Sequence, residues 1–274
     1  MQKFNYHCHT SFKDIFDGHN TADEMLSAYE QKGINEIGFS NHCICHPVFE
    51  KLPFFSKQAF FDVDTFIEIY KQSFDWIDEA ASKHNIKVFK GLEVDFFPSA
   101  IWNKGFEKIL KELNPDYTIG ATHFIRNKDE TALYNIYFLN QLPSINKDEM
   151  NELLNNYWSN IVQSIESGYF KFIVHPDYCC QFGLCETDEW NEHKYKVIDA
   201  LAKTNTACEI NTGGLRRIGR PYPDWWMINE MIQKNIPLLI SDDAHTTKDT
   251  CSHFEVVENK LKELGCKKRF SFNK

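Results

Sequence analysis

Pro237-Leu238-Leu239-Ile240-Ser241-Asp242-Asp243-Ala244-His245 is an apolar run that leads directly into two side chains able to bind a metal ion. Residues 236–240 are typical of a strand buried on both faces. Because side chains alternate along an extended chain, Asp243 and His245 would lie on the same side. A capping Asp ahead of a helix near Asp249, with an incidental His, explains this stretch equally well in isolation. The rest of the chain favours metal binding, because strands that carry such side chains recur five more times.

Ligand-type side chains accompany each of the first five predicted strands. They are His7 and His9 in the strand at residues 4–9, His42 in 35–42, Glu93 in 86–97, His123 in 116–124 and His175 in 170–175. A sixth predicted strand, at residues 207–212, runs into two glycines. Capping and amphipathic patterns predict helices between the strands, at residues 21–33, 64–84, 101–113, 147–168, 190–203, 223–234 and 249–265. A last short strand is predicted at residues 269–272.

The order of these elements predicts an α/β fold. Seven strand–helix units, with strands too apolar to be half exposed, indicate a parallel sheet covered by helices. An open doubly wound sheet gathers its site at one switch point, whereas here ligand types follow the first five strands and the last. In a β/α barrel the carboxyl ends of all strands converge on one face. The sequence therefore predicts a TIM-like barrel with a metal site at the C-terminal ends of its strands.

The histidines at these strand ends predict more than one metal ion. Six of the 11 histidines lie there, and each buried polar group would otherwise need its own partner. Shared ions satisfy the whole set at once. A ligand set of imidazoles and carboxylates, without cysteines at regular metal-binding spacing, indicates zinc, iron or manganese. Eight or nine such ligands exceed the three or four that one zinc ion takes from a protein, so we expect two or three ions.

Composition limits the class of protein. A chain of 274 residues without a linker or internal repeat is interpreted as one domain spanning residues 1–274. It has no apolar run of membrane-spanning length and no room for a signal peptide before the first strand, so no membrane association is expected. The nine cysteines are interpreted as reduced thiols, which predicts a cytoplasmic protein. A net charge of −9 argues against a nucleic-acid partner. The oligomeric state stays open.

An aromatic segment between the second strand and the following helix has two interpretations. Residues 43–62 contain Phe49, Phe54, Phe55, Phe60 and Phe61. The segment could pack over the helices of the barrel, or it could wall the mouth of the site and stack on an aromatic ligand.

The ordered motifs of the chain resemble those of the polymerase and histidinol phosphatase (PHP) family. They are His7-x-His9-Thr10, Phe16-Asp17-Gly18, Ser40-Asn41-His42, Gly91-Leu92-Glu93, His123, His175-Pro176 and Asp243-Ala244-His245. The stretch Glu209-Ile210-Asn211-Thr212-Gly213-Gly214-Leu215-Arg216 resembles the histidinol-phosphatase branch. Asp17 stands where many histidinol phosphatases of this type have His, and it matches a form common elsewhere in the family. The family fold is a distorted (β/α)7 barrel with three metal ions.

The resemblance implies a division of the ligands among three divalent ions. His7, His9, Glu93 and Asp243 would hold one ion; Glu93, His123 and His175 would hold the second, with Glu93 bridging; Asp17, His42 and His245 would hold the third. Asp14 and Asp242 are neighbouring alternatives. The resemblance also implies a histidinol-phosphate phosphatase of histidine biosynthesis, with L-histidinol phosphate as its small-molecule partner. Glu93, Asp243 and His245 are the expected catalytic residues.

The expected chemistry is attack of a hydroxide, formed from water shared by two metal ions, on the phosphorus. A cation would help to hold the phosphate oxygens. Arg216 is the first choice because guanidinium binds phosphate in a bidentate way, with Arg217 and Arg220 as rivals. The alternative is that the three arginines form a solvated basic turn. Glu209 or Asp177 could bind the ammonium of histidinol phosphate.

Three other functions would fit parts of the pattern. An amidohydrolase shares the His-x-His opening and the barrel, although it commonly places a carboxylated Lys where Glu93 lies here. A PHP nuclease or phosphotyrosine phosphatase would keep the same ligands, and the missing basic groove counts against the nuclease. A PHP module retained as a structural domain would have lost ligands, and none is missing from the sequence.

Overall fold

The fold is described from a computed structural model, which covers residues 2–48, 59–126, 133–141 and 145–272. In these ranges the strands are β1 (Phe4–Asn5), β2 (Glu36–Phe39), β3 (His42–Cys45), β4 (Ala59–Phe60), β5 (Lys87–Asp95), β6 (Tyr117–Ala121), β7 (Phe124–Arg126), β8 (Leu133–Asn135), β9 (Phe172–Ile173), β10 (Ala207–Asn211) and β11 (Leu238–Ser241). The helices are α1 (Ala22–Gln31), α2 (Val63–Ala81), α3 (Ala100–Leu113), α4 (Lys147–Ser167), α5 (Asn191–Thr204), α6 (Gly213–Arg217), α7 (Trp225–Gln233) and α8 (Phe254–Glu263).

Seven parallel strands form the central sheet, in the order β1-β2-β5-β6-β9-β10-β11. The first and last strands meet just beyond their ends. There the amide of Asp243 donates to the carbonyl of His7 at 3.1 Å, and the amide of His9 donates to the carbonyl of Ala244 at 2.9 Å. The sheet is therefore a nearly closed barrel, and the predicted fold class is confirmed.

The helices that separate the strands begin and pack as their sequences dictate. Thr21 and Glu24 form the predicted capping box at the start of α1, which satisfies amide groups left free by the first turn. On α2 the side chains of Phe66, Tyr70 and Phe74 recur every four residues and are buried. No helix in the described ranges is long and apolar enough to cross a bilayer.

The interior of the barrel is filled largely by aromatic side chains. Tyr6, Tyr117 and Phe172 are buried there, with Phe272 of the C-terminal segment packed against them. A Cβ atom on Gly91 would lie 2.3 Å from the ring of Tyr117. This strand position therefore requires glycine, because the ring fills the space that any side chain would take.

The structure corrects several predicted elements. The strand predicted at residues 4–9 is confined to Phe4–Asn5, and within the described residues the strand predicted at 269–272 is reduced to an isolated bridge between Leu238 and Arg269. The strand predicted at residues 35–42 is interrupted at Ser40 and Asn41, so that β2 ends at Phe39 and His42 begins β3 instead of ending β2. The two strands keep the same register against β5, with Phe39 opposite Lys90 and His42 opposite Glu93. The helix predicted at residues 249–265 begins only at Phe254, since Cys251 and His253 have left-handed backbones that a helix cannot contain.

The loop predicted at residues 125–145 contains the β7–β8 hairpin and a 3-10 helix at Ile136–Gln141. Of the aromatic segment, Phe49, Phe54 and Phe55 lie outside the described residues.

Candidate metal centre

All nine expected metal ligands lie at the carboxyl-terminal end of the barrel. They form four overlapping groups in which each residue offers a ligand atom and these atoms lie within 4.8 Å of one another. The groups are His9, Asp17, His42 and His245; His7, His9 and Asp243; His7, Glu93 and His175; and His42, Glu93 and His123. Because His7, His9, His42 and Glu93 each belong to two of the groups, the nine side chains form one connected cluster.

The closure of the barrel positions the ligands from the two ends of the chain. Hydrogen bonds between the segments after β1 and β11 bring His7 and His9 beside Asp243. His9 Nε2 lies 3.1 Å from Asp243 Oδ1, and His7 Nε2 lies 3.5 Å from the same oxygen. Burial alone would raise the pKa of Asp243, but the neighbouring histidines, His7 first, hold that pKa well below its ordinary value.

Glu93 lies at the centre of the cluster, fully buried on β5. Its Oε1 is 2.9 Å from His175 Nε2 and 3.3 Å from His7 Nε2, and its Oε2 is 2.7 Å from His42 Nδ1. Burial alone would raise the pKa of Glu93, yet His42, His7 and His123 together lower it well below the ordinary value. The carboxylate therefore stays ionised, as a metal ligand must be.

Asp17 occupies the outer edge of the cluster. Its Oδ2 is 3.4 Å from His42 Nε2 and 3.3 Å from His245 Nε2. The pKa of Asp17 lies well below its ordinary value, because the two imidazoles outweigh the effect of partial burial. Asp14, the alternative, is exposed on a left-handed backbone, and Asp242 is buried below the cluster, where it accepts from Tyr29 Oη at 2.9 Å.

The donor set fits divalent metal ions. Four buried atoms of the expected ligands lack a hydrogen-bond partner: Nδ1 of His9, His42 and His175, and Oε2 of Glu93. His42 Nδ1 and Glu93 Oε2 are only 2.7 Å apart, but their geometry does not make a hydrogen bond between them. Unsatisfied buried acceptors are costly, and shared cations would satisfy several of them at once. The mixed imidazole and carboxylate set is the type that zinc, manganese and iron bind.

Two of the ligand residues have a strained backbone. His175 and Asp243 have positive φ angles of 28° and 50°. Such angles are uncommon for residues other than glycine and cost free energy, so they persist where the surroundings impose them. Here they turn the imidazole and the carboxylate out of their strands and towards the cluster.

Glu209 lies one layer below the ligands, on β10, and has no exposed surface. Its Oε1 accepts from His7 Nδ1 at 2.6 Å and from Ser241 Oγ, and its Oε2 accepts from the His175 amide at 3.0 Å and Asn211 Nδ2 at 3.1 Å. With both oxygens used inside the protein, Glu209 does not reach a substrate ammonium. This arrangement argues against the expected contact with the substrate ammonium, since Glu209 is buried and does not line the pocket over the cluster.

Asp177, the other expected partner of the ammonium, is also buried. Its Oδ2 accepts from Arg220 Nη1 at 3.0 Å and from the Asp224 amide at 3.0 Å. Burial raises the pKa of Asp177 to about 6, against the opposing effect of Arg220. Neither Glu209 nor Asp177 lines the pocket of about 290 Å³ that opens over the cluster.

Asp95 is a functional candidate that the sequence analysis missed. It accepts from the His123 amide at 2.7 Å and from His123 Nδ1 at 3.0 Å, which leaves His123 Nε2 facing Glu93 at 3.6 Å. A hydrogen bond to the distal ring nitrogen commonly fixes the tautomer of a metal-binding imidazole. The signal was present, since Asp95 follows Glu93 by two residues and so shares its side of the strand.

A pocket of about 290 Å³ opens over the cluster. Its lining combines ligands with aromatic side chains and one arginine: Asp17, His42, Ile44, His123, Phe124, Asn135, Tyr137, Phe138, Tyr178, Arg217, Asp243 and His245. A larger groove of about 570 Å³ runs between α4 and α5, but none of the expected ligands lines it. We take the smaller pocket as the candidate active site because five of the expected metal ligands line it.

Among the three candidate arginines, Arg217 faces this pocket. Its side chain is 38% exposed and Nη1 lies 3.9 Å from Asp243 Oδ2. Arg216, the first choice from the sequence, donates instead to the carbonyl of Asp242 at 3.0 Å and does not line the pocket. Arg220 is held by ion pairs with three acids, among them Asp177 at 3.0 Å.

The fold and the site together define a metal-dependent hydrolase of the β/α-barrel class. Histidine and carboxylate ligands converge at the carboxyl ends of parallel strands, where enzymes of this architecture place their active sites, and they border a pocket with a cation on its wall.

The chain belongs to the PHP family, since the PHP domain matches residues 5–213. Among named relatives, the histidinol-phosphatase of Bacillus subtilis (strain 168) is 26% identical over 273 residues, covering 93% of this chain and 98% of that protein. A Thermotoga maritima protein named "Probable histidinol-phosphatase" is 27% identical over 115 residues, 42% of this chain. That match spans about half, 49%, of the Thermotoga protein.

A solved structure shares the fold. The histidinol phosphate phosphatase of Lactococcus lactis subsp. lactis, crystallised with zinc, L-histidinol and phosphate, has a TM-score of 0.69 at 16% identity, covering 98% of this chain and 95% of that one. The predicted family and the distorted barrel are confirmed by these comparisons. The predicted enzyme class, a metal-dependent phosphatase, is confirmed at the level of the class.

Proposed function

We propose that this protein is a histidinol-phosphate phosphatase, which hydrolyses L-histidinol phosphate to L-histidinol and phosphate in histidine biosynthesis. The observation that carries the proposal is the complete set of nine ligand side chains beneath a pocket with Arg217 on its wall. The similarity to the Bacillus relative over nearly the full length of both chains supports the choice of substrate. This role implies a cytoplasmic enzyme.

Three divalent ions, of zinc, manganese or iron, are proposed for the centre. Bound ions of this kind lower the pKa of water to near neutrality and offset the charge of a phosphate group. In the proposed arrangement Glu93 would be the shared carboxylate, because its oxygens lie within 3.6 Å of ring nitrogens of five expected ligands: His7, His9, His42, His123 and His175. Asp243 and His245 belong to the cluster and also line the pocket, so they would hold bound metal ions beside the substrate.

Arg217 is proposed as the phosphate-binding residue. Its guanidinium lies beside Asp243 on the pocket wall, so it can contact a phosphate seated above the cluster and stabilise negative charge during the reaction. Arg216 supports the site from below, because its hydrogen bond to the Asp242 carbonyl holds the segment that carries Asp243.

The test is phosphate release from a panel of phosphomonoesters, with metal analysis of the same sample. L-Histidinol phosphate should give the highest kcat/KM, by about tenfold or more over phosphotyrosine and p-nitrophenyl phosphate, and oligonucleotides should not be cleaved. His245→Ala should lower turnover and metal content, whereas His193→Ala, which removes a histidine of α5 outside the pocket over the cluster, should change neither. A clear preference for phosphotyrosine or for oligonucleotides would replace the proposed function.

A further inference from the structure

Two aromatic side chains on the pocket wall remain without a role in the reaction described above. Tyr137 and Phe138 belong to the 3-10 helix at Ile136–Gln141, and both line the pocket over the cluster. They are 51% and 50% exposed. Large aromatic groups are seldom left in water without a reason when they lie together in a concave site.

The short helix that carries this pair is firmly tied to the cluster. Ile136 and Leu139 are fully buried and anchor it to the core. The Ile136 amide donates to the carbonyl of His123 at 2.8 Å, so the aromatic pair has a fixed distance from that ligand. The helix therefore holds the rings of Tyr137 and Phe138 at the pocket wall, where both are about half exposed.

A series of ring contacts connects the pair to the metal centre. The ring of Tyr137 lies 5.2 Å from Phe182, which lies 5.5 Å from Tyr178, and Tyr178 lies 5.4 Å from His123 and 5.1 Å from His175. These centroid separations are in the range of favourable aromatic pairs. Tyr137, Phe138 and Tyr178 thus line the pocket together with the expected ligands and Arg217, and Phe182 connects the ring of Tyr137 to that of Tyr178.

We propose that Tyr137 and Phe138 form a subsite for a flat unsaturated ring on the leaving alcohol of the substrate. A phosphate bound at the cluster and at Arg217 leaves the rest of the molecule against the aromatic wall, where a planar ring can stack. The inference rests on the proposed function, in which this ring is the imidazole of L-histidinol phosphate.

The experiment compares two substrates that differ by the ring. O-Phosphoethanolamine keeps the phosphate and the amino alcohol of L-histidinol phosphate and lacks the imidazole. Phe138→Ala should lower kcat/KM for L-histidinol phosphate by about tenfold, since stacking of about 1.4 kcal/mol corresponds to a factor of ten, and should change kcat/KM for O-phosphoethanolamine by less than about twofold. Phe138→Leu keeps apolar volume without a ring and should reproduce most of the selective loss.

A matched control is Tyr195→Ala, which removes an exposed aromatic side chain from α5, away from the pocket. It should affect neither substrate. Metal content should be equal in all variants, because none of these residues belongs to the ligand groups. Equal losses on both substrates, or full activity of Phe138→Leu on L-histidinol phosphate, would overturn the subsite.

Failure of the proposed function has a different signature. If the wild-type enzyme prefers another ring-bearing phosphomonoester, such as phosphotyrosine, and Phe138→Ala lowers that activity selectively, the subsite stands and histidinol phosphate is the wrong substrate. If the wild-type enzyme hydrolyses neither L-histidinol phosphate nor any other ring-bearing phosphomonoester better than O-phosphoethanolamine, the subsite is wrong.

Discussion

Glu209→Gln replaces one carboxylate oxygen of a side chain on which four donors converge. The donors are His7 Nδ1, Ser241 Oγ, the His175 amide and Asn211 Nδ2. An ionised carboxylate can accept all four bonds, whereas an amide has one oxygen and an NH2 group that can only donate. Whichever way the amide turns, its NH2 group faces two of the former donors.

Each orientation has a different cost. With the NH2 group towards the His175 amide, a backbone donor that cannot rotate is left buried without an acceptor, which costs about 1–3 kcal/mol of folding free energy. With the NH2 group towards His7, the imidazole must accept on Nδ1 and carry its proton on Nε2, the nitrogen that faces Glu93 and Asp243. A protonated Nε2 cannot bind a metal ion. Loss of such an orienting partner typically weakens metal affinity by about 10- to 100-fold.

The assay is competition for zinc with a chelator of known affinity, together with urea unfolding of the metal-free protein. Glu209→Gln should weaken at least one bound ion by about tenfold or more, and saturating metal should restore much of the turnover. Ser241→Ala is the matched control, because it removes one donor to the same carboxylate and leaves the bond to His7. Its metal affinity should stay within about threefold of wild type. Unchanged metal affinity in Glu209→Gln, with a loss confined to L-histidinol phosphate, would refute the orienting role.

Further predictions concern the cluster, the phosphate-binding residue and the surface. Glu93→Gln should fold but lose most activity and bind fewer ions, as phosphate release and metal analysis will reveal, because a neutral amide cannot offset the charge of two close cations. Chelation should lower the melting temperature in calorimetry, since the clustered ligands lose the cations between them. Arg217→Ala should lower kcat/KM by about 10²-fold for every phosphomonoester, and Arg216→Ala should cost less unless it displaces the Asp243 segment. The hydrogen bond to Glu30 raises the pKa of His84, so its contribution is fully present below about pH 6.5 and is lost as pH rises through the folded-state pKa. In urea unfolding at mildly acidic pH, the free energy of unfolding of His84→Gln should therefore be lower than that of wild type, by less than about 1 kcal/mol. At alkaline pH the two proteins should have the same free energy of unfolding.

The ligand positions could be predicted because they depend on strand periodicity and on a barrel that gathers strand ends. His7 and His9, which follow the first strand, and Asp243, which follows the last strand, come together as that geometry requires. The division of the ligands among three ions is still a proposal, as is the single domain at residues 1–274.

The choice among the arginines could not be predicted, because it depends on the phase of a five-residue helix. Successive residues of a helix point about 100° apart, so Arg216 and Arg217 of α6 must face different surroundings. Arg216 donates a hydrogen bond to the Asp242 carbonyl, whereas Arg217 lines the pocket. The sequence contains no apolar pattern around this short turn that would fix its rotation.

Glu93 and Glu209 illustrate the remaining gap between sequence and structure. Both are glutamates that face the barrel interior from parallel strands, and the sequence alone gives them similar prospects as pocket residues. Strand register separates them. Glu93 is level with His42 of β3, so it lies among the ligands, whereas Glu209 is level with Leu239 of β11, two residues before that strand ends at Ser241. That lower position places the Glu209 carboxylate behind the imidazole of His7 instead of beside it. Depth below the mouth of the barrel, which depends on how neighbouring strands are staggered, thus decides which carboxylate lies among the expected ligands and which lies behind them.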